Sequence, residues 1–184
     1  MHPDEQNLVE QARAGDPGAF GLLYDQYVQK IYSYIVVRVG DPDVAQDLTA
    51  DVFLKALESL DRFQWRGHPF SSWLFSIAHN QVVDHLRRQG RRKQLPLLEE
   101  VLQITNGLEP FHVVEKQLSH KQLLVAIEQL TDIQREIIAL RFAAELSIAQ
   151  VARVLSISEE AVKARQHSAL NALRKIMTAE PTRS

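Results

Sequence analysis

Residues 61–73 read DRFQWRGHPFSSW and gather Phe63, Trp65, Phe70 and Trp73 with Arg62, Arg66 and His68 in one short stretch. Gly67 and Pro69 keep it out of a helix. Two chemistries fit. The rings can frame a bend within a core, or ring faces and cations together can hold something flat and negatively charged. A second stretch, residues 161–175, holds Lys163, Arg165, Arg174 and Lys175 with Gln166 and His167, and no acidic residue. A helix so charged can lie in a DNA major groove, with cations near phosphates and Gln or His near base edges. The other reading is the solvated basic face of a small bundle. A third group, His79, Asp84 and His85, raises metal binding, but histidines six apart fall on different faces of a helix. The chain has no cysteine, no glycine-rich phosphate loop and no nucleophile motif. No catalytic residue, metal site or cofactor is therefore expected.

Helices must position these groups. From Ala19 to Arg38 the residues Phe20, Leu23, Tyr24, Tyr27, Ile31, Tyr34 and Ile35 recur at spacings of three and four. Asp41 and Pro42 read as an N-cap followed by proline at the first helical position. The helix they open places Leu48, Val52, Phe53, Ala56, Leu57 and Leu60 on one stripe. Trp73, Leu74, Ile77 and Ala78 start another that runs to Arg88, with His79, Asn80, Gln81, Asp84, Arg87 and Arg88 on its polar side. Residues 89–116 then break the periodicity with Gly90, the triplet Arg91, Arg92 and Lys93, Pro96, Asn106-Gly107 and Glu109-Pro110, and read as a linker.

Beyond the linker, Thr131 with Gln134 and Ser147 with Gln150 form capping-box patterns, and Ser158 before Glu159 and Glu160 offers a third N-cap. Three short helices with tight turns, the last one longest, outline a helix-turn-helix. Ser156 stands at the turn position that often holds glycine, at a steric cost if it must be left-handed. The expected fold is all-α, with two small helical domains at 1–88 and 117–184 joined by a flexible linker at 89–116.

An apolar fraction of 45% is ordinary for a globular chain. No apolar run approaches the roughly 20 residues that span a bilayer. The N-terminus, MHPDEQNLVEQARAGD, lacks a basic-then-apolar signal pattern. A cytoplasmic location without membrane insertion is expected. The net charge of −2 hides a gradient, since residues 1–88 carry 8 Lys and Arg against 12 Asp and Glu while residues 117–184 carry 9 against 7. With an acidic first half, any contact with DNA must be local.

In order along the chain, FGLLYDQYVQKIYSYIVVRVGD, DVAQDLTADVFLKALESLDRF, FSSWLFSIAHNQVVDHLRR and LTDIQREIIALRF, followed by the helix-turn-helix, resemble bacterial RNA polymerase sigma factors of the extracytoplasmic-function (ECF) type. The resemblance covers all but the N-terminal tail, the linker and the last few residues. It implies a non-catalytic, two-domain protein. Region 2, a helical bundle, docks on the clamp of core RNA polymerase and melts the minus-ten promoter element. Region 4 reads the minus-thirty-five element as duplex, the linker threads the polymerase, and the clamp and flap regions of core polymerase are the implied contacts. An anti-sigma factor is an implied partner besides core polymerase and promoter DNA.

By that resemblance Asp47, Leu48, Asp51, Val52 and Lys55 meet the clamp, although Leu48 and Val52 also fit a core stripe. Arg62, Gln64, Trp65, Arg66 and His68, with His79, Asn80, Asp84, Arg87 and Arg88 downstream, take up the unpaired minus-ten strand, where aromatic stacking is worth about 1–3 kcal/mol per base. Phe63, Phe70 and Trp73 are assigned to the core. On the reading helix Lys163, Ala164, Arg165, Gln166, His167 and Ser168 match positions used near DNA. Ser168 departs from a frequent arginine, and Gln166 from a frequent aliphatic residue. The alternative is a stand-alone helix-turn-helix regulator of a duplex operator, which has no need of the aromatic and cationic loop.

Overall fold

The structure, a computed structural model, describes residues 3–65, 69–90 and 120–178, and these fold into eight helices with no strand among them. Arg66, His68, Arg91, Arg92, Lys93 and the rest of the linker beyond Gly90 lie outside the described residues.

The first unit comprises α1 (Pro3–Arg13), α2 (Pro17–Val39), α3 (Pro42–Ser59) and α4 (Phe70–Gln89). Helix α1 goes beyond what the sequence pattern announces. It buries Val9 and Ala12 against α2, and the hydroxyl of Tyr27 donates to the buried carboxylate of Glu5. Asp16 caps α2, accepting from the Gly18 and Ala19 N–H at 2.8 and 3.4 Å. The helix ends where Gly40 turns left-handed at φ 76° and its N–H returns to the Val36 carbonyl. Asp41 then caps α3 through the N–H of Asp43 and Val44, with Pro42 at the first helical position as expected. Helix α4 starts at Phe70, earlier than Trp73. Pro69 stops the chain from being helical before that point, and Phe70 is buried, so the apolar stripe begins with it.

The second unit comprises α5 (His120–Glu128), α6 (Asp132–Ile138), α7 (Ile148–Leu155) and α8 (Glu159–Thr178). Both expected capping boxes form: Thr131 and Gln134 exchange side-chain to backbone bonds, as do Ser147 and Gln150. Ser158 accepts from the Ala161 N–H at 3.1 Å and starts α8. Ser156 is left-handed, with φ 53°. Arg135 ties α5 to α6 by donating to the carbonyls of Ile127, Glu128 and Leu130. Ala139–Ala143 continue α6 as a π-turn, in which the Ala144 N–H reaches back to the Ala139 carbonyl at 2.9 Å.

The two units lie against each other. Helix α2 runs along the π-turn, and α4 runs along α7. Ile35, Val36 and Leu74 from the first unit share one apolar cluster with Ile137, Leu140 and Val151 from the second. A smaller cluster of Ala126, Ile127, Leu130, Ile138, Ala169 and Leu173 is built from the second unit, with Val37 of α2 packed against it.

Candidate nucleic-acid and partner interface

The aromatic stretch divides at the backbone. Phe63 and Phe70 are buried and meet edge to face, with centroids 5.5 Å apart, and Trp73 packs on both. Trp65 also stands edge-on to Phe63 at 5.1 Å and is half-buried, its indole N–H enclosed without an acceptor among the described residues. Arg62 and Gln64 are exposed beside it. Part of the Trp65 ring is therefore spent on the core, and only its open side is left for a ligand.

On α4 the side chains of Asn80, Arg87 and Arg88 are exposed and Asp84 is half-buried, with Arg87 3.5 Å from the Asp84 carboxylate. His79 lies off this strip. Its Nδ1 sits 3.0 Å from Glu136 Oε1, in the second unit. Glu136 itself is buried. Tyr34 donates to it at 2.8 Å, and Arg38 Nε lies 2.6 Å from Oε2 as a close ion pair whose N–H is not aligned for a hydrogen bond. Burial alone raises a carboxyl pKa, but the His79 bond, the Arg38 charge and the Tyr34 hydroxyl outweigh it and hold Glu136 below its ordinary value. Burial, reinforced by the negative charge of Glu136, pushes the Tyr34 hydroxyl up, so it stays a donor.

Helix α3 faces α4 across a cavity of about 270 Å³ lined by Val44, Asp47, Leu48, Asp51, Gln81, Asp84, His85 and Arg88. Val52 is wholly buried and Leu48 nearly so, which makes them core residues of the bundle. Asp47, Asp51 and Lys55 remain exposed. Three carboxylates around an open groove suit a cationic partner. Among the described residues, no three His, Asp or Glu side chains are grouped to hold a metal ion.

On α8 the buried stripe is Val162, Ala169 and Leu173. Lys163, Ala164, His167 and Ser168 face solvent, while Arg165 and Gln166 are half-buried. Gln166 accepts from Arg141 Nε at 2.8 Å, inside the domain. That contact explains how glutamine occupies a position where an aliphatic residue is common, and it turns this side chain away from the outer face. Ser168 accepts from Gln134 at 3.2 Å. Half-buried Asn171 pairs with His167 at 2.9 Å and links it to exposed Arg174 one turn further. Spacing of i, i+4 from His167 was the available signal for Asn171.

Comparison with known proteins matches the same two units. The family model of sigma-70 region 2 matches residues 23–92, and that of sigma-70 region 4 matches residues 126–175. SigX of Bacillus subtilis, an ECF RNA polymerase sigma factor, is 33% identical over 162 residues, which are 86% of this chain and 83% of SigX. The chain belongs to the ECF sigma factors. BldN of Streptomyces coelicolor, also an ECF sigma factor, is 39% identical over 170 residues, 92% of this chain but 64% of BldN, so this sigma factor spans under two thirds of that relative's length. The solved structure of CnrH in complex with the cytosolic domain of CnrY superposes with a TM-score of 0.69 at 26% identity, covering 97% of this sigma factor and 99% of CnrH. No helix among the described residues is long and apolar enough to cross a membrane.

Proposed function

We propose that this sigma factor binds core RNA polymerase, directs it to a limited set of promoters and helps open them, acting in the cytoplasm without catalysis of its own. Asp47 and Asp51 on α3 meet basic groups of the clamp, and Lys55, one turn further along the same exposed face, meets the clamp beside them. Arg62, Gln64 and the open side of Trp65, with Arg66 and His68, grip unpaired minus-ten bases, and Asn80, Asp84, Arg87 and Arg88 border them. Lys163, Ala164, His167 and Ser168 meet the minus-thirty-five duplex, flanked by Arg165. The polymerase flap is a further contact of the chain.

The observation that carries this reading is the face of α8. Val162, Ala169 and Leu173 are buried while Lys163, His167 and Arg174 are exposed on another side, joined by the half-buried Asn171 and with no acidic side chain among them, which suits phosphate and base edges in a major groove. A partner that holds the chain off the polymerase, an anti-sigma factor, belongs to the same reading and is supported by CnrH having been solved with a second protein bound. Run-off transcription with purified core polymerase over a library of genomic fragments tests the function. Transcript starts that depend on the chain are expected, and their absence would overturn the reading.

A further inference from the structure

Three polar side chains on α8 form a relay in which only one assignment of donors and acceptors works. Arg174 Nη1 donates to Asn171 Oδ1 at 3.4 Å, and Asn171 Nδ2 lies 2.9 Å from His167 Nε2. A guanidinium has donors and no acceptor, so it must face the oxygen of the Asn171 amide. The amide turned over would set its NH2 against the Arg174 guanidinium, donor against donor. Arg174 therefore decides which end of Asn171 meets His167, and that end is a donor. His167 Nε2 must accept, and in a neutral imidazole the proton then sits on Nδ1. Nδ1 has no hydrogen-bond partner among the described residues, and the His167 side chain is exposed.

We propose that Asn171, oriented by Arg174, is a positioning residue that fixes His167 as a donor at Nδ1, and that this donor reads the N7 acceptor of a purine. The inference rests on the reading of α8 as the helix that meets the minus-thirty-five duplex, and it adds the chemistry of one base contact. In the major groove a purine presents N7 as an acceptor, whereas the cytosine amine is a donor and the thymine methyl is apolar. Guanine suits a single donor better than adenine, because it sets a second acceptor, O6, beside N7 where adenine sets an amine. An imidazole free to take either tautomer would meet an acceptor or an amine equally well and discriminate little. Lys163, exposed one turn before His167, supplies a cation for the phosphates flanking that contact.

The relay is not there to hold the fold. Val162, Ala169 and Leu173 fill the core from another side of α8, and alanine is a better helix former than asparagine at position 171. A loss caused by Asn171→Ala at unchanged helical circular dichroism is thus a loss of orientation.

Two measurements test the proposal. The first uses the full-length chain carrying isotope-labelled histidine, at about pH 8, where neutral imidazole predominates. The ring nitrogen signals of His167, assigned by their absence in His167→Gln, should show the proton on Nδ1 in the parent. In Asn171→Ala the proton should shift toward Nε2. A parent with its proton on Nε2, or a folded Asn171→Ala with the parent's pattern, would overturn the relay. The second uses core polymerase and a promoter recovered by run-off transcription, with each purine of its minus-thirty-five duplex replaced in turn by the 7-deaza analogue, which pairs normally but lacks N7. At one purine the replacement should lower transcript starts about five-fold, the order of one lost hydrogen bond. That sensitivity should shrink in Asn171→Ala and vanish in His167→Ala. Sensitivity undiminished in either variant, or no sensitive purine, overturns the base contact. A parent chain that starts no transcripts at all counts against the sigma-factor reading instead, and the ring signals still decide the relay.

Discussion

Glu136 and the pair Asp47 and Asp51 are carboxylates on helices of the same chain, yet their surroundings are opposite. Glu136 is enclosed by a guanidinium, a phenol and an imidazole contributed by two other helices. Asp47 and Asp51 stand one turn apart on α3 at the rim of an open groove, exposed, and neither forms an ion pair among the described residues. Like charges at that spacing mildly oppose the free helix. The first site is completed by the chain, and its occupant holds two units together. The second is left incomplete, which is the condition for a surface whose cations come from elsewhere. Whether a carboxylate is structural or functional here depends less on its own helix than on who supplies the positive charge.

The sharpest way to break this comparison is to leave Glu136 as much in want of a partner as Asp47. Arg38→Ala removes the guanidinium from a carboxylate that stays dehydrated while the units remain packed. Losing one member of a buried pair typically costs about 3 kcal/mol. Urea unfolding followed by the fluorescence of Trp65 and Trp73 is expected to show a destabilisation of that order. Arg38→Met combined with Glu136→Leu should recover most of the loss, apart from about 1 kcal/mol for a Tyr34 hydroxyl left without its acceptor. Equal stability of Arg38→Ala and the parent would mean that the Glu136 site is no more closed than the Asp47 site.

Acid should produce a smaller version of the same effect. The folded-state pKa of Glu136 is lowered, so its ionisation stabilises the packed structure above the unfolded value of about 4.3 and that contribution disappears as pH falls through the folded value. A protonated Glu136 still occupies the site and still shares hydrogen bonds, which is why the loss is smaller than for removal of Arg38. The thermal midpoints of the parent and Glu136→Gln should differ at pH 7 and at pH 5, then converge only once pH has fallen below the lowered folded value of Glu136. A difference that persists unchanged into acid would place the stabilising charge elsewhere.

The parts of this molecule that are legible in its sequence are those decided locally. Asp41 with Pro42, Thr131 with Gln134 and Ser147 with Gln150 announce helix starts because the cap and the N–H it satisfies lie within three residues. The basic side of α8 is readable for the same reason, since periodicity assigns Val162, Ala169 and Leu173 to one face and leaves Lys163 and His167 on another. Glu136 is not readable, because its partners sit 102, 98 and 57 positions away in sequence and no local rule connects them. Trp65 is an intermediate case. Its chemistry is plain, but the share of its ring taken by Phe63 depends on a packing angle that only the folded chain sets. The π-turn at Ala139–Ala143 carries no composition signal, and it moves Arg141 into reach of Gln166, which sequence alone places among base-reading candidates.

The finest test concerns the incomplete site, and it asks for two effects of opposite sign. Asp47→Asn removes one member of the like-charged pair on α3 without changing side-chain volume much. Relief of an i, i+4 repulsion on an exposed helix is worth about 0.2–0.5 kcal/mol, so the isolated chain should become slightly more stable. If the groove waits for a cation of core polymerase, the same substitution should weaken assembly with it, and high salt should shrink the difference, because exposed charges are screened within about 8 Å at physiological ionic strength. A titration of labelled chain with core polymerase at two salt concentrations, set beside a thermal melt of the chain alone, measures both. Stability that rises while affinity falls marks a carboxylate kept for a partner at a cost to its own helix. Stability and affinity that fall together would mean that Asp47 is used within the chain after all, and the contrast with Glu136 would then be one of degree.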